Sequence, residues 1–200
     1  MKVSIIIPYK EDRGWLKEAV ASVPPEVELI LSQGDGNWPQ NFNKGLKKAT
    51  GDLIKFLHED DMLTSNCIQD SIECFNRMDV DFIHGNAYEI YMNEGRRLGL
   101  YKPSIHIPTF ADLLNKNVFH STTLMYRREI FEKLGGFNED DKMYSFEEFE
   151  FNLRALKAGF KVGYVNSPLA YYRRHPNQII RTCNIQKRKQ YRQELVNSYL

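Results

Sequence analysis

Residues 51–61 read GDLIKFLHEDD, an apolar run that stops abruptly at a cluster of acidic side chains. An apolar run of this length, bounded by a glycine and by charged residues, predicts a strand at residues 53–57. Two similar runs, at residues 3–7 and 27–31, precede it, and segments with helical spacing separate them, the first capped by Asp12. Strands that alternate with helices predict an α/β protein with a mainly parallel central sheet flanked by helices.

The second half of the chain changes character. Strand-like stretches at residues 81–91 and 122–126 predict a mixed sheet there. An amphipathic helix is predicted from Ser145, followed by a strand near residues 161–165. No repeat or linker interrupts the 200 residues, so a single domain is predicted, with a basic C-terminal helix at residues 184–200. That helix is expected to pack on the domain, because one helix is a weak membrane anchor.

Composition and charge exclude several classes of function. The 27 basic and 26 acidic residues nearly balance, and a net charge of +1 provides no field that would hold nucleic acid. No apolar run approaches the ~20 residues of a membrane-spanning helix, so no transmembrane segment is expected. Cys67 and Cys74 lie too far apart along one predicted helix to form a disulfide. A cytoplasmic location is therefore expected.

The acidic cluster at residues 59–61 follows a strand, and ligands bind beyond the carboxyl ends of strands in an open α/β sheet. Two hard carboxylate ligands, Asp60 and Asp61, would suit Mg²⁺ or Mn²⁺ held against a diphosphate. The same residues are also typical of a turn that favours the positive end of the following helix. The spacing leaves both interpretations open.

Two further segments have a structural and a functional interpretation. Residues 145–148 (SFEE) fit a capping box in which Glu148 bonds the Ser145 backbone. A carboxylate fixed at a helix N-terminus is also a well-oriented general base. Residues 171–175 (YYRRH) combine stacking rings, cations and a candidate metal ligand, but they are equally typical of an edge strand with solvated charges.

Four segments of the chain follow one another in an order that characterises one enzyme family. They are VSIIIPYK at residues 3–10; NKGL at 43–46 with ATGDLIKFLHEDD at 49–61; YRREIFEKLGGFNE at 126–139; and EEFEFNLR at 147–154 with YRRH at 172–175. In these segments the chain resembles the inverting glycosyltransferases of family 2. The resemblance covers residues 1–180 and implies the GT-A fold, a Rossmann-like sheet that binds nucleotide-sugars.

The resemblance implies a direct displacement, in which an acceptor hydroxyl attacks the anomeric carbon as the nucleoside diphosphate leaves. The implied base is Glu148, or Glu147 beside it. The implied ligands of a Mn²⁺ or Mg²⁺ ion, which would neutralise the leaving diphosphate, are Asp60, Asp61 and His175. The residues implied for binding the nucleotide-sugar donor are Pro8, Tyr9, Glu11, Gln33, Asn43, Lys44, His58, Glu59, Asp61 and Arg174.

The chain also departs from the family pattern. Ser32 and Gln33 stand where paired aspartates commonly contact the nucleotide base. His58 stands where the acidic motif usually begins with aspartate. Phe42 replaces an arginine that often precedes the Asn-x-Gly element, and Lys44 is expected to take over its contact with the pyrophosphate.

Family analogy alone predicts the substrates. The donor is expected to carry uridine, with Tyr9 and Gln33 near the base. The acceptor is expected to be the hydroxyl of a glycan or of a protein-linked or lipid-linked group. Residues 116–123 precede a strand at a position where an acceptor loop would lie.

Two other classes of protein fit part of the pattern. A nucleotidyltransferase generally needs a glycine-rich basic loop after the first strand, and residues 8–12 do not provide one. A catalytically inactive module that binds a nucleotide-sugar or a glycan would fit the missing aspartates at Ser32 and His58. Turnover of a nucleotide-sugar distinguishes this module from an enzyme.

Overall fold

The computed structural model of the chain describes residues 1–92, 97–140, 146–182 and 184–200, and for Ile179 and Ile180 it describes the backbone only. Eight strands in these residues form one sheet. They are β1 (Val3–Tyr9), β2 (Glu28–Gln33), β3 (Leu53–Phe56), β4 (Met62–Leu63), β5 (Phe82–Tyr91), β6 (Arg97–Tyr101), β7 (Met125–Arg127) and β8 (Val162–Arg174).

Seven of these strands lie in the order β2, β1, β3, β7, β5, β8 and β4. The eighth, β6, pairs with β5 and does not belong to this order. Strands β2, β1 and β3 are parallel, with Ile6 paired to Ile30 of β2 and to Phe56 of β3. Strand β7 runs antiparallel to β3 and β5, whereas β8 runs parallel to β5 and antiparallel to β4. The predicted α/β fold is therefore confirmed, with a parallel half, β2, β1 and β3, beside a mixed half.

The helices of the described residues are α1 (Leu16–Ala21), α2 (Trp38–Leu46), α3 (Cys67–Arg77), α4 (Phe110–Asn115), α5 (Arg128–Leu134), α6 (Glu147–Lys157), α7 (Ile179–Thr182) and α8 (Ile185–Asn197), with a 3-10 helix at Ser121–Thr123. Helices α1 to α6 lie between strands along the chain, as the alternating pattern predicts, and α7 and α8 follow the last strand. Within the described part of the chain, no helix combines the length and apolarity that a membrane crossing requires.

Two hydrophobic cores cover the two faces of the sheet. In β1, Ile6 packs in one core and Ile5 and Ile7 pack in the other, because successive side chains of a strand point to opposite faces. All three side chains are fully buried. In β3, Phe56 belongs to the first core and Leu53 to the second. Burial on both faces explains why these strands are continuous apolar runs.

Helix α1 begins at Leu16, so the prediction that Asp12 caps this helix is wrong. Gly14 has a φ of 91°, in the left-handed region, which interrupts a helix that would start at Asp12. Oδ1 of Asp12 accepts the backbone N–H of Gly14 at 2.7 Å. Asp12 therefore stabilises the loop between β1 and α1. This loop is longer than predicted, because α1 begins at Leu16.

Strand β8 extends far beyond the predicted strand at residues 161–165. It continues to Arg174, lies between β5 and β4, and leaves Arg173 only 2% exposed. The interpretation of residues 171–175 as an edge strand with solvated charges is therefore wrong. The basic side chains were misleading because Arg173 and Arg174 form ion pairs, with Glu18 and Glu89, that a sequence does not display.

Helices α6 and α8 differ in how they match the sequence. Helix α6 begins at Glu147 with Phe146 as its N-cap residue, and Ser145, the predicted cap, lies outside the described residues. Helix α8 occupies the predicted basic tail and packs on the domain as expected. Leu195 and Val196 are buried in the first core.

Candidate active site

A cleft of about 590 Å³ opens beyond the carboxyl ends of β1 and β3. Its walls come from the loop after β1, the start of α2, the turn after β3, residues 117–121, the first turn of α6, the end of β8 and the first turn of α8. Ligands bind at this position in open α/β sheets. The predicted site residues that line it are Pro8, Tyr9, Glu11, His58, Glu59, Asp60, Asp61, Glu148 and Arg174.

The turn after β3 holds its two aspartates in different environments. Oδ2 of Asp60 lies 3.0 Å from Nε2 of His175, which follows β8. Oδ1 of Asp61 accepts the backbone N–H of Arg173 at 3.0 Å, while its Oδ2 is buried without a partner among the described residues. Arg173 also donates from Nη1 to the backbone oxygen of Asp60 at 2.8 Å. The end of β8 therefore fixes the geometry of the acidic turn.

These environments shift the pKa values of the two carboxyl groups in opposite directions. Burial raises the pKa of Asp60, but the hydrogen bond from His175 and the positive charges of His58 and Arg13 outweigh it and lower the pKa overall. Complete burial raises the pKa of Asp61 well above its ordinary value, and the charge of Asp60 raises it further. Asp60 is therefore the dependable anion of this turn at neutral pH.

The residues of the turn fit a divalent cation that is shared with a substrate. Among the described His, Cys, Asp and Glu residues, no group of three or more is arranged to hold a metal ion alone. A Mg²⁺ ion at a phosphate site usually takes one or two carboxylates, and substrate oxygens and water complete its coordination. Asp60 meets this requirement because it is ionised and lines the cleft. His175, through its hydrogen bond, orients the Asp60 carboxylate.

His58 connects the acidic turn to α6. Its Nε2 lies 3.4 Å from Oε1 of Glu148, and its ring stacks on Trp38 with 5.0 Å between ring centroids. Burial lowers the pKa of His58, but the contact with Glu148 and the charges of Asp61 and Asp60 outweigh it and raise the pKa to about 9. His58 therefore carries a positive charge beside Glu148 at neutral pH, whereas the family pattern has an aspartate at the position of His58.

The remaining predicted site residues, Gln33, Asn43, Lys44, Glu147 and His175, are not among the described residues that line the cleft. Asn43 clamps the loop after α5, since its Nδ2 donates to the Phe137 oxygen at 2.8 Å and its Oδ1 accepts the Phe137 N–H at 3.0 Å. Nζ of Lys44 donates to the backbone oxygen of Gln33 at 2.9 Å and so links α2 to the end of β2. Contacts of these residues with a donor stay predictions.

Arg13 is a residue of the cleft that the sequence did not single out. It forms an ion pair with Glu59, and its Nη2 lies 3.8 Å from Oδ2 of Asp60. No motif marks Arg13, because it contacts the acidic turn from an irregular loop, in which Gly14 has a positive φ. Arg13 brings a guanidinium to the side of the cleft that the acidic turn forms.

His120 was predicted only as a member of residues 116–123, the segment expected to contain an acceptor loop. Asn117, Phe119, His120 and Ser121 line the cleft. Burial lowers the pKa of His120 to about 4, so its ring is neutral at pH 7. The ring lies edge-on to Tyr172, with 4.7 Å between centroids. This segment therefore contributes an aromatic wall and a neutral hydrogen-bonding group.

Lys55 fixes the position of this wall from inside the sheet. Its side chain is fully buried in β3, and its Nζ donates to the backbone oxygens of Thr122 at 2.6 Å and Leu124 at 3.2 Å. Burial lowers the pKa of Lys55, and the charge of Asp61 counteracts that effect. Lys55 is thus a structural polar group at the centre of a strand.

We expect Lys55→Met to lower the free energy of unfolding by about 2–4 kcal/mol, because two buried carbonyl oxygens lose their donor. Urea unfolding of this variant and of Lys48→Met, which changes an exposed lysine, measures the difference. A Lys55→Met protein as stable as the parent would mean that the methionine packing compensates for the lost hydrogen bonds.

Comparison with protein families agrees with this geometry. A model described as Glycosyl transferase family 2 matches residues 16–135. The match includes β2, β3 and the acidic turn as well as the segment that carries His120. Because it covers more than half of the 200 residues, this chain belongs to glycosyltransferase family 2.

Two curated proteins illustrate the range of its relatives. An uncharacterized glycosyltransferase of Rickettsia conorii is 27% identical over 173 residues, which cover 68% of this chain and 28% of that protein. The O-antigen chain rhamnosyltransferase WbaN of Salmonella anatum is 26% identical over 157 residues, which cover 72% of this chain and 49% of that protein. This chain therefore spans less than half of the length of either relative.

A solved structure extends the likeness to nearly the whole chain. S. aureus TarS 1–349, in complex with UDP-GlcNAc, superposes with a TM-score of 0.74 at 15% sequence identity. The superposition covers 98% of this chain and 65% of the TarS chain. At this identity the likeness establishes the fold alone, and the predicted GT-A fold is confirmed.

Proposed function

We propose that this chain transfers a sugar from a nucleoside diphosphate donor to an acceptor hydroxyl, with inversion and with the help of Mn²⁺ or Mg²⁺. One observation carries the proposal: Asp60, an ionised carboxylate suited to a metal, and Glu148, a candidate base, line the same cleft. Family membership supports the reaction class, because residues 16–135 match the family model. The free thiols of Cys67 and Cys74 are consistent with a reducing, cytoplasmic location.

In the proposed reaction the acceptor oxygen forms a bond to the anomeric carbon and gives its proton to Glu148. The bond between that carbon and the diphosphate oxygen breaks, and its electron pair leaves with the diphosphate. A divalent cation held by Asp60 would stabilise the charge that grows on the diphosphate. Attack from the face opposite the leaving group inverts the anomeric centre.

Glu148 is the proposed base in preference to Glu147 because Glu148 lines the cleft and contacts His58. Protonated His58 contacts Glu148 and fixes the direction of its carboxylate. The cleft must also hold the acceptor, and residues 117–121 are the proposed wall on that side, with His120 as a neutral hydrogen-bonding group.

The test is release of nucleoside diphosphate from a panel of UDP-, GDP- and dTDP-sugars in the presence of Mn²⁺, with and without simple sugar acceptors. Acceptor-stimulated release by the parent protein supports the proposal. Binding of a nucleotide without any turnover would instead favour the inactive binding module. The observation behind this alternative is the positive charge of His58, which stands at the family's first aspartate position.

We expect uridine diphosphate to bind more tightly than guanosine or thymidine diphosphate, by about tenfold, the effect of one well-placed hydrogen bond. Tyr9 lines the cleft, and Gln33, paired in register with it, stands at the end of β2. TarS was solved with UDP-GlcNAc, which supports uridine as the base. Competition titrations measure the order of affinity, and a preference for guanosine or thymidine would indicate that Ser32 and Gln33 changed the base specificity.

A further inference from the structure

The cations of the cleft differ in whether the protein neutralises them. Lys10, Arg13, Arg174 and Arg188 all line it. Arg13 is paired with Glu59, and Arg174 is paired with Glu89, a carboxylate that also accepts a hydrogen bond from Tyr91. Lys10 lies in an exposed loop, where solvent screens its charge. Arg188 has neither a carboxylate partner among the described residues nor a fully exposed position.

Arg188 reaches the cleft from the first turn of α8. Its guanidinium carbon lies 4.3 Å from the centroid of the Phe146 ring, and Phe146 is the N-cap residue of α6. Nε of Arg188 is buried and has no hydrogen-bond partner within the part of the chain that the structure describes. A buried guanidinium N–H without a partner is costly, so a ligand that accepts a hydrogen bond there would be stabilised.

The rest of α8 holds Arg188 in this place. Leu195 and Val196 are buried in the core, and Nη2 of Arg192 donates to the backbone oxygens of Leu114 and Asn115 at 3.1 and 2.9 Å. The helix is thus anchored at its far end, and its first turn projects to the cleft. A side chain on a packed helix binds with less loss of conformational freedom than one on a loop.

We propose that Arg188 binds an anionic group, phosphate or carboxylate, on the acceptor. This proposal rests on the proposed transfer reaction. Arg188 enters the cleft against the N-terminus of α6, the helix that carries Glu148, so it lies on the side of the base. The proposed metal and diphosphate side is formed by other elements, since Asp60 follows β3 and its partner His175 follows β8. A planar guanidinium binds phosphate or carboxylate oxygens in pairs.

The experiment measures binding of three small sugars to the full chain saturated with uridine diphosphate and Mn²⁺. The probes are methyl glucoside, methyl glucoside 6-phosphate and methyl glucuronide, which share one ring and differ in charge. Titration followed by protein NMR gives each affinity. We expect at least one anionic probe to bind about tenfold more tightly than the neutral one, and Arg188→Gln to abolish that preference. The two anionic probes distinguish phosphate from carboxylate.

Lys187→Gln is the matched control, because it removes the same charge from an exposed neighbour on α8 that does not line the cleft. It should retain the preference, and Arg188→Lys should retain part of it. Uridine diphosphate affinity should be equal in all variants. Equal binding of neutral and anionic probes, or no binding of any probe, overturns the proposal. A loss of uridine diphosphate affinity in Arg188→Gln also overturns it, by placing Arg188 on the donor. Failure of the parent to bind any nucleotide would instead refute the proposed function.

Discussion

Glu148→Gln is expected to lower the rate of sugar transfer by roughly 10² to 10⁴, the usual contribution of a general base. Glutamine has the same length and still accepts a hydrogen bond from His58, but it cannot take the acceptor proton. Donor affinity should stay close to that of the parent, because the loss is confined to the transition state. Transfer assays with saturating donor, together with titration of the nucleotide, measure both quantities.

Glu147→Gln is the control for this prediction, since Glu147 is the neighbouring acid on α6 and does not line the cleft. It should have a mild effect. A nearly inactive Glu147→Gln protein would move the base one position back. A fully active Glu148→Gln protein would reduce Glu148 to a partner of His58, in which case the proposed mechanism fails at its central step.

The ion pair with His58 makes the effect of Glu148→Gln on stability dependent on pH. His58 has a pKa of about 9 in the folded chain, above the ordinary histidine value of 6.5. A raised folded pKa contributes stability that is fully present below 6.5 and is lost as the pH rises through 9. The variant should therefore be less stable than the parent at pH 6 and equally stable above pH 9. Thermal unfolding at both pH values separates this structural effect from the loss of the base.

The fold was largely predictable because its central strands are buried on both faces. Such strands are continuous apolar runs, and β1 and β3 appear as such in residues 3–7 and 53–57. The extent of β8 was not predictable, because its polar second half is stabilised by partners distant in sequence. Arg173, for example, bonds the acidic turn, which is more than a hundred residues away.

The candidate site was predictable where a sequence motif marks its residues, as at the acidic turn after β3 and at Glu148 in the first turn of α6. The acidic turn also follows a strand, and the carboxyl-end rule predicts that Asp60 and Asp61 lie at the cleft. Arg13 and Arg188 belong to no such motif, and His120 was predicted only as a member of residues 116–123. Each reaches the cleft through an irregular loop, a short 3-10 segment or a C-terminal helix, and the direction of these elements depends on tertiary packing.

Asp60→Asn is expected to weaken the metal-dependent part of nucleotide affinity by about 10- to 100-fold, because a hard ligand and a neutralising charge are both lost. Asparagine keeps the hydrogen bond to His175, so the turn should keep its shape. Asp61→Asn is the matched comparison. Its effect should be smaller, because burial already raises the pKa of Asp61.

Calorimetry of uridine diphosphate binding, in Mn²⁺ and in excess chelator, measures the effect for the parent and both variants. In chelator the parent and Asp60→Asn should bind with similar affinity, since only the metal-dependent part is removed. If the parent binds the nucleotide equally well in Mn²⁺ and in chelator, the metal has no place in the mechanism. Neutralisation of the diphosphate would then fall to the cations of the cleft, which include Arg13, whose Nη2 lies 3.8 Å from Oδ2 of Asp60.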